Sequence, residues 1–351
     1  MGSVARGNGL SPHLAQHIES VLPKDNTRHS LGTSVIPSLL RSISDVAKGL
    51  RAAQDVTHAG TANTFGDEQL NVDVIAENHI REALALCPAV KVASSEEDPV
   101  ERAVTHSASA LSDNPGTEHY TVAFDPLDGS SIIAPNWTVG TIIGIWDGGE
   151  SALSQRPAEK QIAAILGVFG PRTTAVVAVR VPGAPATCFE VGLGEGEIGL
   201  WEVVRPMVQL GEAAAQKTRY FAPANLRAAA EDERYMNLVN HYMRNKYTLR
   251  YSGGLVPDVV HALVKGHGIY LSPVTGASKA KLRRLYELCP LALIVECAGG
   301  RAVDPADGTD ILAREIKNCD ERGGLICGTR EEVDAAISSL LGKLWCQHRL
   351  Q

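Results

Sequence analysis

Residues 120–131 read Tyr-Thr-Val-Ala-Phe-Asp-Pro-Leu-Asp-Gly-Ser-Ser, an apolar strand running into two aspartates three residues apart and then a Gly-Ser-Ser turn. Asp125 and Asp128 can face the same ion, and the carbonyl of Leu127 can join them as a third hard oxygen. Pro126 removes one backbone donor and stiffens the start of the turn. All-oxygen ligation of this kind suits Mg²⁺ or Mn²⁺ rather than zinc, which prefers nitrogen and sulfur. The amides and hydroxyls of Gly129, Ser130 and Ser131 can receive a phosphate. Taken alone, the same residues also make an ordinary Asp-rich turn, so the deciding question is whether other carboxylates accompany them.

Three further acidic groups stand where side chains can converge. The segment from Asn63 to Asp73 puts Asp67 and Asp73 at a loop and a helix start; Glu96, Glu97 and Asp98 follow a short strand; Glu287 lies among apolar residues that make an unpaired charge costly. Each has a plainer reading: Asp67 and Asp73 as helix-start residues, Glu96 to Asp98 as a solvated loop, Glu287 as a partner of Arg283. Together they favour a multi-metal site. A phosphate monoester dianion repels a hydroxide nucleophile and leaves an alkoxide behind, and divalent ions held by carboxylates relieve both difficulties. An unligated carboxylate beside them can orient water or accept its proton.

Cationic and amide-rich elements lie elsewhere. Arg250-Tyr251-Ser252-Gly253-Gly254-Leu255 is a Gly-rich turn opening a helix, an expected anion cradle. Lys279, Lys281, Arg283 and Arg284 form a second basic cluster, either a solvated face or a clamp for a second, non-reacting phosphate.

The elements that must position these groups follow from periodicity. Apolar positions at helical spacing predict helices over Thr33–Asp55 and Val72–Leu86, and apolar runs predict strands at Val90–Ala93, Tyr120–Phe124, Val139–Trp146 and Thr174–Val181. Residues 147–161, Pro182–Pro185 and Gly192–Gly199 read as surface excursions. Further on, Glu231–Tyr247, Val256–Val264, Leu291–Ala298 and Glu331–Trp345 read as helices, Gly268–Leu271 as a strand and Lys279–Cys289 as a loop with a strand approach. The mixture predicts a layered α/β fold with mixed sheets, divided into a loose tail (1–30), a metal-binding part (31–215) and a part that carries the basic groups (216–351).

Composition bounds the function. The 351 residues are 44% hydrophobic and 21% charged, enough for a substantial core. A net charge of −7 argues against nucleic acid or an anionic membrane as partner. No apolar run reaches the roughly 18 residues of a bilayer span, and the first residues read as neither signal nor transit peptide. Seven cysteines without a Cys-x-x-Cys pair read as reduced thiols of an intracellular, cytoplasmic protein rather than a zinc site.

The order Asn63-x-x-Gly-Asp67, Asp73, Ser95-Glu-Glu97, Asp125-Pro-Leu-Asp-Gly-Ser-Ser131, Tyr251-x-Gly-Gly254 and Lys281-x-Arg-x-x-Tyr-Glu287 resembles the Mg²⁺-dependent sugar bisphosphatases of the fructose-1,6-bisphosphatase family. These belong to the lithium-sensitive phosphatase superfamily, and the likeness runs from about Ser38 to Leu341. The resemblance implies a layered α-β-α-β-α fold, two or three Mg²⁺ (or Mn²⁺) ions, a sugar bisphosphate substrate and a homo-oligomer. Asp67, Glu96, Asp125, Asp128 and Glu287 would hold metal with the carbonyl of Leu127, and Asp73 and Glu97 would polarise the attacking water. Gly129, Ser130 and Ser131 would meet the scissile 1-phosphate. Lys281, with Ser252, Gly253, Gly254 and Leu255, would hold sugar hydroxyls. Asn225, Arg250 and Tyr251 would bind the distal phosphate, Arg250 from a neighbouring subunit.

Within the family the chain is more similar to the members acting on a seven-carbon 1,7-bisphosphate. The stretches Thr64–Leu70, Gly170–Thr174, Phe221–Ala228, Lys246–Asp258 and Ser278–Arg283 carry that preference, and Ser272 stands near a tyrosine of the six-carbon enzymes. A six-carbon or dual-specificity bisphosphatase is the alternative reading. An inositol-monophosphatase-like activity shares the Asp-x-x-Asp core without the distal clamp, and a non-catalytic relative would lack a metal carboxylate. The redox cysteine pair of plastid members is absent before Asn63, and the N-terminal segment does not match the nucleotide-inhibition site of fructose-bisphosphatases.

Overall fold

The computed structural model describes residues 10–62, 66, 68–108, 118–194, 201–212 and 216–342. Its centre is an eight-stranded sheet made of β1 (Val90–Ser95), β2 (Arg102–Ala103), β3 (Tyr120–Asp128), β4 (Val139–Asp147), β5 (Gln161–Phe169), β6 (Thr173–Val179), β7 (Thr187–Gly192) and β8 (Glu202–Arg205). The spatial order is β8-β7-β6-β5-β4-β3-β1-β2, antiparallel except for the parallel pair β1 and β3. Strands β3 to β6 are buried over almost their whole length, as their continuous Val/Ile/Ala runs require of a sheet covered on both faces.

A second, five-stranded sheet combines β9 (Tyr220–Pro223), β10 (Thr248–Leu249), β11 (Ile269–Ser272), β12 (Arg301–Val303) and β13 (Leu325–Gly328) in the order β10-β9-β11-β13-β12. Helices fill the spaces. On the outer face of the large sheet, α1 (Pro12–Ser20), α2 (Ile36–Ala52) and α3 (Asn71–Ala85) bury Leu14, Ile43 and Ile80 against the strands. After the one-turn α4 (Ser130–Ile133) and α5 (Glu233–Arg244), α6 (Leu255–Lys265) and α7 (Cys289–Cys297) lie between the two sheets, where Val256 and Leu293 meet Ile142 and Tyr270 in one core. The far face of the small sheet is closed by α5 and α8 (Arg330–Leu341). The layering is α-β-α-β-α, as the sequence predicts.

Three local readings change. The N-terminal segment read as a tail contains α1, capped by the Ser11 hydroxyl on the Leu14 amide, with Leu14 and Ile18 buried. Its polar sequence hides an amphipathic face of only a few residues. Residues 147–161, read as one surface excursion, end in β5, whose buried run Gln161–Phe169 has no period-2 alternation to reveal it. Lys279–Cys289 forms the two-residue strand Leu282–Arg283 and then a π-helical turn, Arg284–Leu288. Such turns often stand at functional sites.

Candidate active site

In a regular strand, residues three apart point to opposite faces. Asp125 pairs with Ile142 but Asp128 with Gly140, so β3 takes three steps where β4 takes two. That one-residue bulge brings both aspartates to the same side. Pro126 suits the bulge because it has no N–H to lose, and the Thr141 hydroxyl donates to its carbonyl at 2.7 Å, fixing the loop of backbone. The Leu127 amide donates to Asp125 Oδ1 at 3.0 Å.

Glu287 reaches the same place from the π-helical turn, where the Arg283 amide donates to its Oε2 at 2.5 Å. One carboxylate oxygen from each of Asp125, Asp128 and Glu287 lies within 4.8 Å of the others, and all three side chains are buried. Glu96 follows the last residue of β1, its amide donating to the Phe124 carbonyl at 3.0 Å, so the parallel pair β1 and β3 presents acids at its carboxyl end. The Glu96 carboxylate receives the guanidinium of Arg283.

Burial and mutual repulsion raise the proton affinity of this cluster. Asp125 and Glu287 are held well above the usual carboxylate range, first by burial and then by the charge of Glu96. Asp128 is pushed up to about 7 by burial, opposed by the amides of Val256 and Leu255. Buried carboxylates at this spacing, all oxygen donors, form a donor set that fits a hard divalent cation. The cation would neutralise what the protein alone leaves in repulsion.

Two more carboxylates stand beside the cluster. Asp73, in the first turn of α3, is buried and accepts the Leu70 amide at 2.8 Å; burial raises it to about 6. Glu97 accepts the Gln69 amide at 2.6 Å and is raised by burial to about 7, with Asp73 and Glu96 among its charged neighbours. Glu97 lines a cavity of about 400 Å³ with Gln69, Val74, Glu77 and Asp98. This places a half-buried acceptor next to space that water can enter. Asp67 lies outside the described residues.

The turn after Asp128 is shaped for close approach. Gly129 has φ of +99°, a conformation a side chain strains, and it opens α4 with Ser130 and Ser131 exposed at the mouth. Ile132 of the same turn packs on Gly253 and Gly254, where a Cβ on either would meet it at 3.2 Å.

The Gly-rich turn 250–255 differs from its predicted role as an anion cradle. The amides of Ser252 and Gly253 donate to the Asp258 carboxylate at 2.7 and 3.2 Å, and Gly254 donates to the Ser252 hydroxyl. Those of Leu255 and Val256 donate to Asp128 at 3.2 and 2.7 Å. The anions held at this helix start are the protein's own.

The basic cluster also divides. Arg283 and Arg284 are neither a solvated face nor a phosphate clamp: both are buried, Arg283 between Glu96 and Asp320, Arg284 between Glu321 and Asp304. Lys279 and Lys281 remain exposed. Asn225, with φ of +48°, donates its side-chain amide to the carbonyls of Pro273 and Ser278. Its donors anchor the 273–278 loop and are not left for a phosphate. Arg250 and Tyr251 line a cleft of about 990 Å³ with Arg172, Ser252, Trp137 and His261. The guanidinium of Arg250 lies 5.6 Å above the Tyr220 ring.

Profiles of this architecture match over nearly the whole chain. The fructose-1-6-bisphosphatase N-terminal domain matches residues 19–201, and the C-terminal domain matches 214–340. The chain belongs to the fructose-1,6-bisphosphatase family. It is similar to the chloroplastic sedoheptulose-1,7-bisphosphatase of Triticum aestivum, 41% identical over 81% of this chain and 67% of that one. To a class 1 fructose-1,6-bisphosphatase of Syntrophotalea carbinolica it is 35% identical over 80% of this chain and 81% of the relative. Among solved structures, a Toxoplasma gondii protein described as a sedoheptulose-1,7 bisphosphatase superposes with a TM-score of 0.80 at 33% identity, covering 94% of this chain and 99% of that one. As a member of this family the chain is a phosphoric monoester hydrolase of the sugar bisphosphatase type, and divalent metal use is general to the family.

Sequence reasoning missed Asp258, Gly140 and the pairing of Arg283 with Glu96, having offered Glu287 as its partner. A glycine inside an apolar strand is the signal that points to Gly140. An aspartate in the first turn after a Gly-Gly pair is the signal for Asp258.

Proposed function

We propose that the chain removes the 1-phosphate of sedoheptulose 1,7-bisphosphate, giving sedoheptulose 7-phosphate and inorganic phosphate. The observation that carries the hydrolytic reading is the convergence of Asp125, Asp128 and Glu287 with Asp73 and Glu97 beside them. The sugar is favoured by identity: 41% to the wheat sedoheptulose-1,7-bisphosphatase against 35% to the bacterial fructose-1,6-bisphosphatase. Ser272, at the end of β11, leaves more room than a tyrosine for a longer sugar.

Two or three Mg²⁺ ions, replaceable by Mn²⁺, would be held by Asp125, Asp128, Glu287 and Glu96, with Asp67 and the Leu127 carbonyl completing the set. When bound they supply charge neutralisation for the phosphoryl oxygens and a lowered pKa for water. The residues do the rest. Glu97, fixed by Gln69, and Asp73, fixed by the Leu70 amide, orient the attacking water and accept its proton. Gly129, Ser130 and Ser131 receive the scissile phosphate at the mouth of the turn. Lys281 and the 252–255 turn border the sugar, while Arg250 and Tyr251 take the distal phosphate. Asn225 supports that pocket by holding the 273–278 loop. A homo-oligomer would let Arg250, exposed on the rim of its cleft, serve a neighbouring subunit.

The test is a comparison of kcat/KM for sedoheptulose 1,7-bisphosphate and fructose 1,6-bisphosphate with Mg²⁺. A clear preference for the seven-carbon sugar supports the reading. A preference for the six-carbon sugar replaces it with the fructose-bisphosphatase alternative, which both matched profiles and the bacterial relative favour. No phosphate release from either sugar refutes both.

A further inference from the structure

Helix α6 meets the large sheet at an unusually close contact, and it lies directly behind a metal carboxylate. Gly140 of β4 is the cross-strand partner of Asp128. A Cβ built on Gly140 would lie 2.4 Å from the Cβ of Val256 and within 2.7 Å of both its methyl carbons. Real Cβ atoms essentially never come closer than 3.0 Å to a neighbour, and here the neighbour is the root of a stiff side chain that cannot swing away. Gly140 is not among the positive-φ glycines, so its backbone conformation is open to any residue. Space is the reason for glycine at this position.

What that space permits is specific. Val256 is the second residue of α6, and the amides of Leu255 and Val256 donate one to each oxygen of Asp128. The first amides of a helix have no intrahelical acceptor, so a carboxylate set against them gains charge-assisted bonds and a favourable dipole. Two donors on two oxygens also fix the rotation of the carboxylate plane, and one of its oxygens lies within 4.8 Å of a carboxylate oxygen of Asp125 and of Glu287. If α6 stood off the sheet by the width of a methyl group, those bonds would break or the side chain would turn with the helix.

We propose that Gly140 is a positioning residue for catalysis: its missing side chain lets the first turn of α6 descend onto β4, where two backbone amides hold the Asp128 carboxylate in its metal-facing orientation. The device sets a metal carboxylate on the large sheet by a helix that packs against the small one. Gly253 and Gly254 extend it, because Ile132 of the Gly129–Ile133 turn packs against both and ties the phosphate-facing turn to the same helix start. The inference rests on Asp128 being a metal carboxylate and is independent of which sugar is hydrolysed.

The neighbouring strand supplies a control. A Cβ on Gly167 of β5 would meet Ile43 of α2 at 2.9 Å, an intrusion on the outer face of the sheet, away from the carboxylates. The experiment measures Mn²⁺ binding by electron paramagnetic resonance, with kcat and thermal midpoint, on the full chain carrying Gly140→Ala, Gly167→Ala, Asp128→Asn or the reciprocal pair Gly140→Ala with Val256→Gly. Gly140→Ala should weaken Mn²⁺ binding and lower kcat by about tenfold, the loss expected for a displaced charged hydrogen bond. Gly167→Ala should lower the thermal midpoint while leaving Mn²⁺ affinity within about twofold, since overpacking alone costs only stability. The reciprocal pair, which moves the Cβ across the interface, should recover most of the affinity.

A second arm does not depend on Gly140→Ala folding. Leu255→Pro places proline at the first helical position, which accepts it, and deletes one donor to Asp128; Leu255→Ala removes the same side chain but keeps the donor. Weaker Mn²⁺ binding in the proline variant than in the alanine variant supports the proposal. Equal affinities there, or wild-type affinity in a folded Gly140→Ala, overturn it. Asp128→Asn separates the two levels: if it binds Mn²⁺ like the wild type, the assignment of Asp128 itself fails.

Discussion

The guanidinium of Arg283 donates to Glu96, and four residues on from Arg283 stands Glu287. One buried arginine thus joins the end of β1 to the turn that delivers a metal carboxylate. Its own amide holds that carboxylate at 2.5 Å. Arg283 is a permanent cation inside a cluster of acids, and its Nε faces Asp320 at 3.3 Å.

Replacing Arg283 by Met keeps much of the volume and removes the charge. Glu96 then loses that guanidinium beside Asp125 and Glu287. Breaking a buried pair from one side costs about 3–5 kcal/mol. Urea unfolding of Arg283→Met at pH 7.5 should show a loss in that range, partly restored by Mn²⁺. A change below about 0.5 kcal/mol would mean the pair is solvent-screened and structurally idle.

The raised carboxylates fix the direction of two pH effects. Burial lifts Asp73 to about 6 and Glu97 and Asp128 to about 7, so the folded chain holds these protons more tightly than the unfolded one. Their contribution to stability is therefore complete at and below the ordinary carboxylate range. It is lost as pH rises toward about 7. The metal-free protein should show a urea midpoint that falls as pH rises from about 4 to about 7, with added Mn²⁺ reversing the loss. Activity should move the opposite way, with kcat/KM climbing through the same window as Asp73 and Glu97 become bases. A flat stability profile would show that these groups titrate normally.

Much of this was legible in the sequence, because the motif residues sit at the ends of elements that periodicity locates. Asp125 and Asp128 follow a clear apolar strand, and Glu96 and Glu97 end another. What sequence could not show is the bulge that turns both aspartates to one side, since bulges depend on register with a partner strand. The fates of Arg250 to Leu255 and of Arg283 and Arg284 were equally hidden. A Gly-rich helix start and a run of basic residues look the same whether their partners are ligands or the protein's own carboxylates. Only tertiary contacts, such as Asp258 on Ser252 and Glu321 on Arg284, decide between them.

Arg250 is the best test of the distal phosphate site. Among the described residues its side chain has no carboxylate partner, and its guanidinium donates to the Leu249 carbonyl at 2.8 Å. An exposed guanidinium spent on a neighbouring carbonyl is available to a phosphate. Arg250→Ala should raise KM for the bisphosphate by about tenfold or more and leave kcat within about threefold, the pattern of lost uniform binding. A sugar carrying only the scissile phosphate should be hydrolysed equally by both proteins. Unchanged KM would point instead to an inositol-monophosphatase-like site without a clamp.

Asp128→Asn separates chemistry from fold most sharply. The substitution keeps the shape and still accepts through its carbonyl oxygen, but it presents an NH₂ to one of the two helix amides, so the seat loses one bond. It also removes a charge from a buried cluster in which burial and the charge of Glu96 already work against ionisation. These two effects oppose each other in the metal-free protein, and stability at pH 7.5 should change by less than about 1 kcal/mol, the net worth of one ordinary hydrogen bond. Turnover should fall by about a thousandfold or more, because the chemistry needs the full negative charge facing Asp125 and Glu287. Mn²⁺ should then stabilise the variant far less than it stabilises the parent, read as the difference in thermal midpoint with and without the ion. Retained turnover, or an undiminished Mn²⁺ shift, would remove Asp128 from the metal centre and leave its paired amide contacts as a purely structural joint between β3 and α6.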